Sequence, residues 1–419
     1  MNISEISPEV YDLARRAEEL AAPQFAALQE ICEKNTLRVM EAFQANRVSE
    51  ACFAGTTGYG YDDLGRETLE KIYARVFGAE AALVRPHFVN GTHAITSALF
   101  ALCAPGEKIL AATGKPYDTL HRAIGITGEE FGSLRFYGIG YEQVDLLPDG
   151  SIDIPAVLRA LADPSVKSVI AQRSIGYSTR KALTIDQIRE LCSAVKAARP
   201  EITVFVDNCY GEFTDVLEPT HVGADLIAGS LIKNPGGGLA PTGGYIAGRA
   251  DLVEKAACRM TLPGIGGECG STLGVNRLLF QGFFMAPHIV MQAVKTAVFA
   301  AAMMHLLGYD SHPRYDEKRS DIIQRISLGS PEKMEAFCGG IQAGAPVDSF
   351  VSPVPAPMPG YDCDVIMAAG AFIQGSSIEL SCDGPIREPY CVYLQGGLTY
   401  ESGKLGVMLA VSGMLSAKT

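Results

Sequence analysis

The sequence predicts an α/β fold, with a mainly parallel central sheet covered by helices and a smaller C-terminal α+β domain. Three observations predict it. Between residues 81 and 248, apolar segments of four to seven residues alternate with stretches of helical periodicity. Those segments are apolar at consecutive positions, the pattern of strands buried on both faces. After "GIGGECGST" (264–272) the alternation gives way to a long helical region, a Pro-rich loop and further strands.

Residues 7–47 read as helix: Ser7 can cap it, Pro8 suits a first turn, and apolar residues recur around an expected break at Pro23. The glycine-rich stretch 48–65 reads as a loop. Leu69, Ile72, Tyr73, Val76 and Phe77 then mark one apolar helical stripe. The expected strands are "AALV" (81–84), "KILAA" (108–112), "VKSVIAQ" (166–172), "TVFVD" (203–207), "ADLIAGS" (224–230) and "GGYIAG" (243–248). Thr184 with Gln187 forms a capping box that opens a helix between two of them. The loop "VSPVPAPMPG" (351–360) and the strand "CVYLQ" (391–395) belong to the later part. The expected division is a helical arm (1–50), a large α/β domain (51–265) and a smaller domain (266–419).

The 419 residues carry 35 Lys and Arg against 47 Asp and Glu, a net charge of −12. That balance argues against a nucleic-acid or anionic-membrane binder. No apolar run reaches the roughly 18 residues of a membrane span, and the N-terminus lacks a signal-peptide layout. The 11 cysteines are scattered and form no CxxC pair, so neither a disulfide framework nor a metal site is expected. The expected location is cytoplasmic.

Functional groups in open α/β sheets gather at the carboxyl ends of strands. Asp207 ends "TVFVD", Lys233 follows "ADLIAGS", and "NGTH" (90–93) enters the helix "AITSALFAL". A buried carboxylate needs a partner. A Gly-Thr turn entering a helix offers amides and a hydroxyl to a phosphate. A desolvated lysine is expected to lose affinity for its proton and become a nucleophile. Pyridoxal phosphate needs all three groups: an amine for its aldehyde, a carboxylate for its ring nitrogen, and a helix N-terminus for its phosphate. Each has a plainer reading, as a helix cap, a loop aspartate or an ordinary loop. "SLIK" (230–233) also fits the S-x-x-K of penicillin-binding serine enzymes, but the S-D-N and K-T-G partners of that reading do not occur.

The motifs "YGYDDLGRETLE", "VNGTHAI", "KPYDTL", "QRSIGYSTR", "VDNCYGEF", "GADLIAGSLIKNPGGGLAPTGGYIAG" and "DGPIREPYCVYLQGGLTY" are specific. From about residue 50 onward the chain resembles the aluminium-resistance or methionine gamma-lyase-like family, related to the cystathionine lyases. The resemblance implies the PLP-dependent transferase-like fold (fold type I) and pyridoxal 5′-phosphate as cofactor. It implies that Lys233 holds the cofactor as a Schiff base and acts as general base, and that Asp207 pairs with the ring nitrogen. Gly91, Thr92 and Ser230 would bind the phosphate, Tyr117 would stack on the ring, and Arg387 would grip the substrate carboxylate. Tyr59 would enter a neighbouring subunit's site, so at least a homodimer is expected, with a tetramer implied. The relatives show Tyr-x-Arg where this chain has Tyr59 and Tyr61. Arg66, expected on a helix, is not assigned to the phosphate; Arg173 and Arg180 are alternatives, or else solvated loop residues.

The implied reaction is carbon–sulfur lysis of a small sulfur-containing amino acid by β- or γ-elimination, yielding a 2-oxo acid and ammonia. An aldolase or aminotransferase on the same scaffold, or a non-catalytic protein linked to metal tolerance, remain alternatives. Direct aluminium binding finds no dense carboxylate cluster in the sequence.

Overall fold

Strands form where the consecutive apolar runs lie. The computed structural model describes residues 6–128, 131–358 and 363–416. Residues 1–5 of the expected arm and residues 359–360 of the Pro-rich loop lie outside the described residues. The chain opens with α1 (Pro8–Ala45), capped by Ser7, and continues through α2 (Leu64–Val76). The large sheet comprises β1 (Ala81–Arg85), β2 (Lys108–Ala111), β3 (Gly140–Gln143), β4 (Val166–Gln172), β5 (Thr203–Asp207), β6 (Leu226–Ser230) and β7 (Gly244–Gly248). Their order is β1-β7-β6-β5-β4-β2-β3, with β7 antiparallel to both neighbours and the other pairs parallel. The expected mainly parallel sheet is present.

Strand alternation feeds two cores. Val204 and Val206 of β5 join one with Val169 and Ala171 of β4; Phe205 and Ile170 join the other. The second core is covered by α3 (Gly91–Leu102) and α7 (Ala250–Met260). Short helices α4 (Asp118–Ile124) and α5 (Ile154–Ala160), and the longer α6 (Ile185–Ala198), complete the connections. Thr184 and Gln187 form the expected capping box at α6.

Helix α8 (Asn276–Leu306) leads into a second sheet, flanked by α9 (Pro331–Ala343) and α10 (Tyr400–Ser416). Its strands are β8 (Ser311–His312), β9 (Gln324–Ser327), β10 (Val365–Ala368), β11 (Ser381–Pro385) and β12 (Cys391–Gln395), in the order β10-β11-β12-β9-β8, all antiparallel. Helix α8 is long and apolar enough to cross a membrane, but 78% of its most apolar window is buried in the protein.

Three expectations need correction. Helix α1 does not break at Pro23 but runs through it. Proline removes one backbone hydrogen bond, and burial of Ala17, Ala21 and Leu28 on either side holds the helix together. The 48–65 stretch is not all loop: a 3-10 turn occupies Glu50–Phe53, and α2 starts at Leu64, where Asp63 caps it by accepting from the Arg66 N–H. The edge strand β3, half exposed and not apolar throughout, was not expected.

Candidate active site

The carboxyl ends of β4, β5 and β6 lie side by side, with Gln172 opposite Asp207 and Asp207 opposite Ala228. Asp207 is fixed by the Cys209 N–H, which donates to Oδ1 at 3.1 Å. Three residues past β6, Lys233 begins a 3-10 turn, Asn234–Gly236. Buried Asn234 anchors that turn by donating to the Glu212 carbonyl at 3.0 Å. A Cβ on Gly236 would lie 1.7 Å from the Leu231 carbonyl oxygen, so the chain can fold back here only as glycine.

Helix α3 points its first turn at this place. Asn90 caps it by accepting from the His93 N–H at 2.8 Å, and the amides of Gly91 and Thr92 have no intrahelical acceptor. A Cβ on Gly91 would come 2.9 Å from the Ser230 Cβ, so glycine brings the helix start against the end of β6. Gly91, Thr92, Tyr117, Asp207 and Lys233 line one inner pocket, together with Gln172. Ser230 is buried beside Gly91. About 50 Å³ of free space remains there around the Lys233 side chain. An adjoining chamber of about 490 Å³ shares Tyr117 and Gln172 and is lined by Arg180, Arg387, Tyr177 and Tyr393. Arg387 is exposed at the end of β11 and faces this chamber, not the inner pocket.

The electrostatics correct one expectation. Burial does act to lower the proton affinity of Lys233, but Cys209, Tyr210, Asp207 and Glu212 around it outweigh burial and lift it above the ordinary lysine range. The free lysine therefore holds its proton as an ammonium rather than standing as a neutral amine. Burial raises the Asp207 pKa, opposed by Lys233.

Neither arginine alternative is a solvated loop residue. Arg173 is fully buried and donates to Asn208 at 2.9 Å, Thr214 at 3.2 Å and Glu218 at 3.4 Å, which makes it a brace. Arg180 donates to the Gln172 carbonyl at 2.8 Å and to the Ser174 carbonyl. Burial lowers its pKa to about 10, against the pull of Asp321 and Asp207. Arg66 lies on α2, as expected, and ties two loops together through the carbonyls of Gly60, Glu268 and Gly270. Tyr59 and Tyr61 are 74% and 54% exposed, stack on each other at 5.7 Å, and lie outside the inner pocket of their own chain.

The sequence reading missed Gln172 and Tyr210. Gln172 closes β4 as Asp207 closes β5, so the strand-end rule applied to "VKSVIAQ" finds it. Its buried Oε1 has no hydrogen-bond partner among the described residues. Tyr210 lies in an irregular turn with no periodicity to mark it.

The residues present fit pyridoxal phosphate: a buried amine and a buried carboxylate in one pocket, helix N-terminal amides without an intrahelical acceptor, and an acceptor in the wall with no partner among the described residues. A family model described as methionine gamma-lyase matches residues 10–415. A carbon–sulfur lyase involved in aluminium resistance from Clostridium novyi NT is 54% identical, with a TM-score of 0.94 over 97% of this chain and 96% of its own. The Bacillus subtilis (strain 168) protein YnbB is 53% identical over 93% of this chain and 92% of its own length. The pyridoxal-5′-phosphate dependent protein YhfS from Escherichia coli is 16% identical and shares the fold, with a TM-score of 0.61 over 92% of this chain and 96% of its own.

Proposed function

Because the chain belongs to the methionine gamma-lyase family, we propose that it is a pyridoxal 5′-phosphate-dependent carbon–sulfur lyase. Its substrate would be a sulfur-containing amino acid of the cystathionine or methionine type, cleaved by α-proton abstraction and β- or γ-elimination. The observation that carries this reading is the meeting of Lys233 and Asp207 in one buried pocket against the first turn of α3. The lyase named from Clostridium novyi NT supports the reaction class.

When bound, the cofactor supplies an aldehyde for an amine and a ring that accepts the electrons released at the substrate's α-carbon. Lys233 Nζ would make the covalent link and, once displaced by the substrate, take the α-proton. Asp207 would keep a proton on the ring nitrogen. The Gly91 and Thr92 amides, the Thr92 hydroxyl and Ser230 would hold the phosphate, and the α3 dipole favours the anion there. Tyr117 would cover the ring. Arg387 would reach from the small domain to a substrate carboxylate, where its planar fork gives two parallel hydrogen bonds. Tyr59 and Tyr61 would complete the site of a second copy.

The test is the absorbance of the purified protein before and after borohydride, with cystathionine, methionine and cysteine assayed for 2-oxo acid and thiol. The parent should show a visible band that borohydride removes, and Lys233→Ala should lack it. A band that survives in Lys233→Ala refutes the assignment. Turnover that releases no thiol would favour the alternatives: 2-oxo acid alone an aminotransferase, neither product an aldolase.

A further inference from the structure

Tyr210 follows Asp207 by three residues and adopts a left-handed backbone, φ +69°, unfavourable for a residue with a side chain. This backbone turns the ring beneath the lysine: Lys233 Nζ stands over its face, 4.0 Å from the centroid. The Tyr210 hydroxyl is 3.0 Å from Ser377 Oγ of the small domain. The adjacent Ser376 hydroxyl donates at 2.9 Å to the carbonyl of Ile232, the residue before Lys233. Glu379 closes this segment on itself, accepting from the N–H groups of Phe372 at 2.7 Å and Ile373 at 2.8 Å. One small-domain turn therefore holds both the backbone ahead of the lysine and the ring beneath its amine.

We propose that Tyr210 is a positioning residue for Lys233: its ring face receives the ammonium that Lys233 becomes on taking the substrate's α-proton. The inference rests on Lys233 being the base. In the transfer, the C–H bond at the α-carbon breaks, an N–H bond forms on Nζ, and the electron pair stays on the substrate side. A ring face attracts the cation and not the neutral amine, more strongly where water is excluded. It therefore favours the product of proton transfer. The other groups facing Nζ are Asp207 of β5 and, from the following turn, Cys209 and Glu212; Arg180 acts on Asp207, and Asp383 of β11 acts on Tyr210.

The test reads the lysine directly. Lysines of the cofactor-free protein are labelled at about pH 8 with a trace of acetic anhydride, which reacts only with the neutral amine, so a lower Lys233 pKa reads as proportionally faster labelling of the peptide that is unlabelled in Lys233→Ala. Tyr210→Leu removes the face and should lower the Lys233 pKa by about one unit, a roughly 10-fold loss of proton affinity. Tyr210→Phe keeps the face and should stay within about twofold of the parent. Pentafluorophenylalanine at position 210 keeps the ring's shape and abolishes its negative face, so it should reproduce the leucine shift without a packing defect. In the loaded enzyme, exchange of the substrate α-proton with D₂O should slow by roughly 10-fold in the leucine and fluorinated variants. If the fluorinated variant labels at Lys233 like Tyr210→Phe, this inference is overturned while the lyase reading stands. A visible band that persists in Lys233→Ala overturns both.

Discussion

Glu212 is buried, with the Tyr245 hydroxyl donating to Oε1 at 2.8 Å while Oε2 has no partner among the described residues. Burial pushes its carboxyl up from 4.5 to about 8. Between those values the folded protein holds a proton that the unfolded chain has released, so stability falls as pH rises. The contribution is complete below about pH 4.5 and is lost as pH climbs through about 8. Glu212→Gln keeps an acceptor for Tyr245 and removes the titration. Urea unfolding at pH 5 and pH 8 should therefore show a smaller drop in the variant, by at least about 1.4 kcal/mol, the equivalent of one pKa unit. An equal drop in both proteins would place the pH dependence elsewhere. At this scale Lys233, Asp207, Gly91 and Thr92 were legible because each ends or opens a regular element. Tyr210 was not: its position depends on a left-handed turn and on Ser377, more than a hundred residues away, which no local pattern encodes.

Helix α8 passes the turn after Lys233 with no side chain between them. A Cβ on Gly282 would lie 2.2 Å from the Gly236 carbonyl oxygen, and one on Gly237 would lie 2.2 Å from the Gly282 carbonyl oxygen. Gly282→Ala must push the helix and the Lys233 turn apart. The expected cost is about 1–3 kcal/mol, read as a lower urea midpoint, with faster loss of visible absorbance on dialysis. An unchanged midpoint would mean that the contact yields without strain. Glycines cluster in the sequence just after Lys233, but the helix against which they press is a tertiary fact. The Pro23 expectation failed for a related reason. A local rule breaks the helix there, while packing on both sides of the proline sustains it. The six expected strands of the large sheet were readable from burial on both faces. Strand β3 pairs on one side only and carries little apolar signal.

At the scale of the whole molecule, the site draws on both sheets: Lys233 and Asp207 line the inner pocket from the large one, while from the part built on the small one Ser377 meets the Tyr210 hydroxyl and Arg387 lines the adjoining chamber. Tyr59 and Tyr61 face outward, and the proposed shared site has a direct test. Lys233→Ala and Tyr59→Ala proteins should each be inactive. Refolded together in equal amounts, they should recover about a quarter of parent activity, because half the dimers are hybrids and each hybrid has one complete site. No recovery would confine Tyr59 to its own subunit, and an active Tyr59→Ala protein would leave it without a role.

Helix α1 lays Val10, Ala14 and Ala17 into the interior under the small sheet and Leu28, Cys32, Val39 and Ala42 into the interior under the large one. A single unbroken rod thus serves as a clasp across the two halves. Neither half can melt without dragging part of its neighbour's lining into water, so heat should undo the monomer in one event, and the catalytic geometry should vanish with the last of the fold rather than before it.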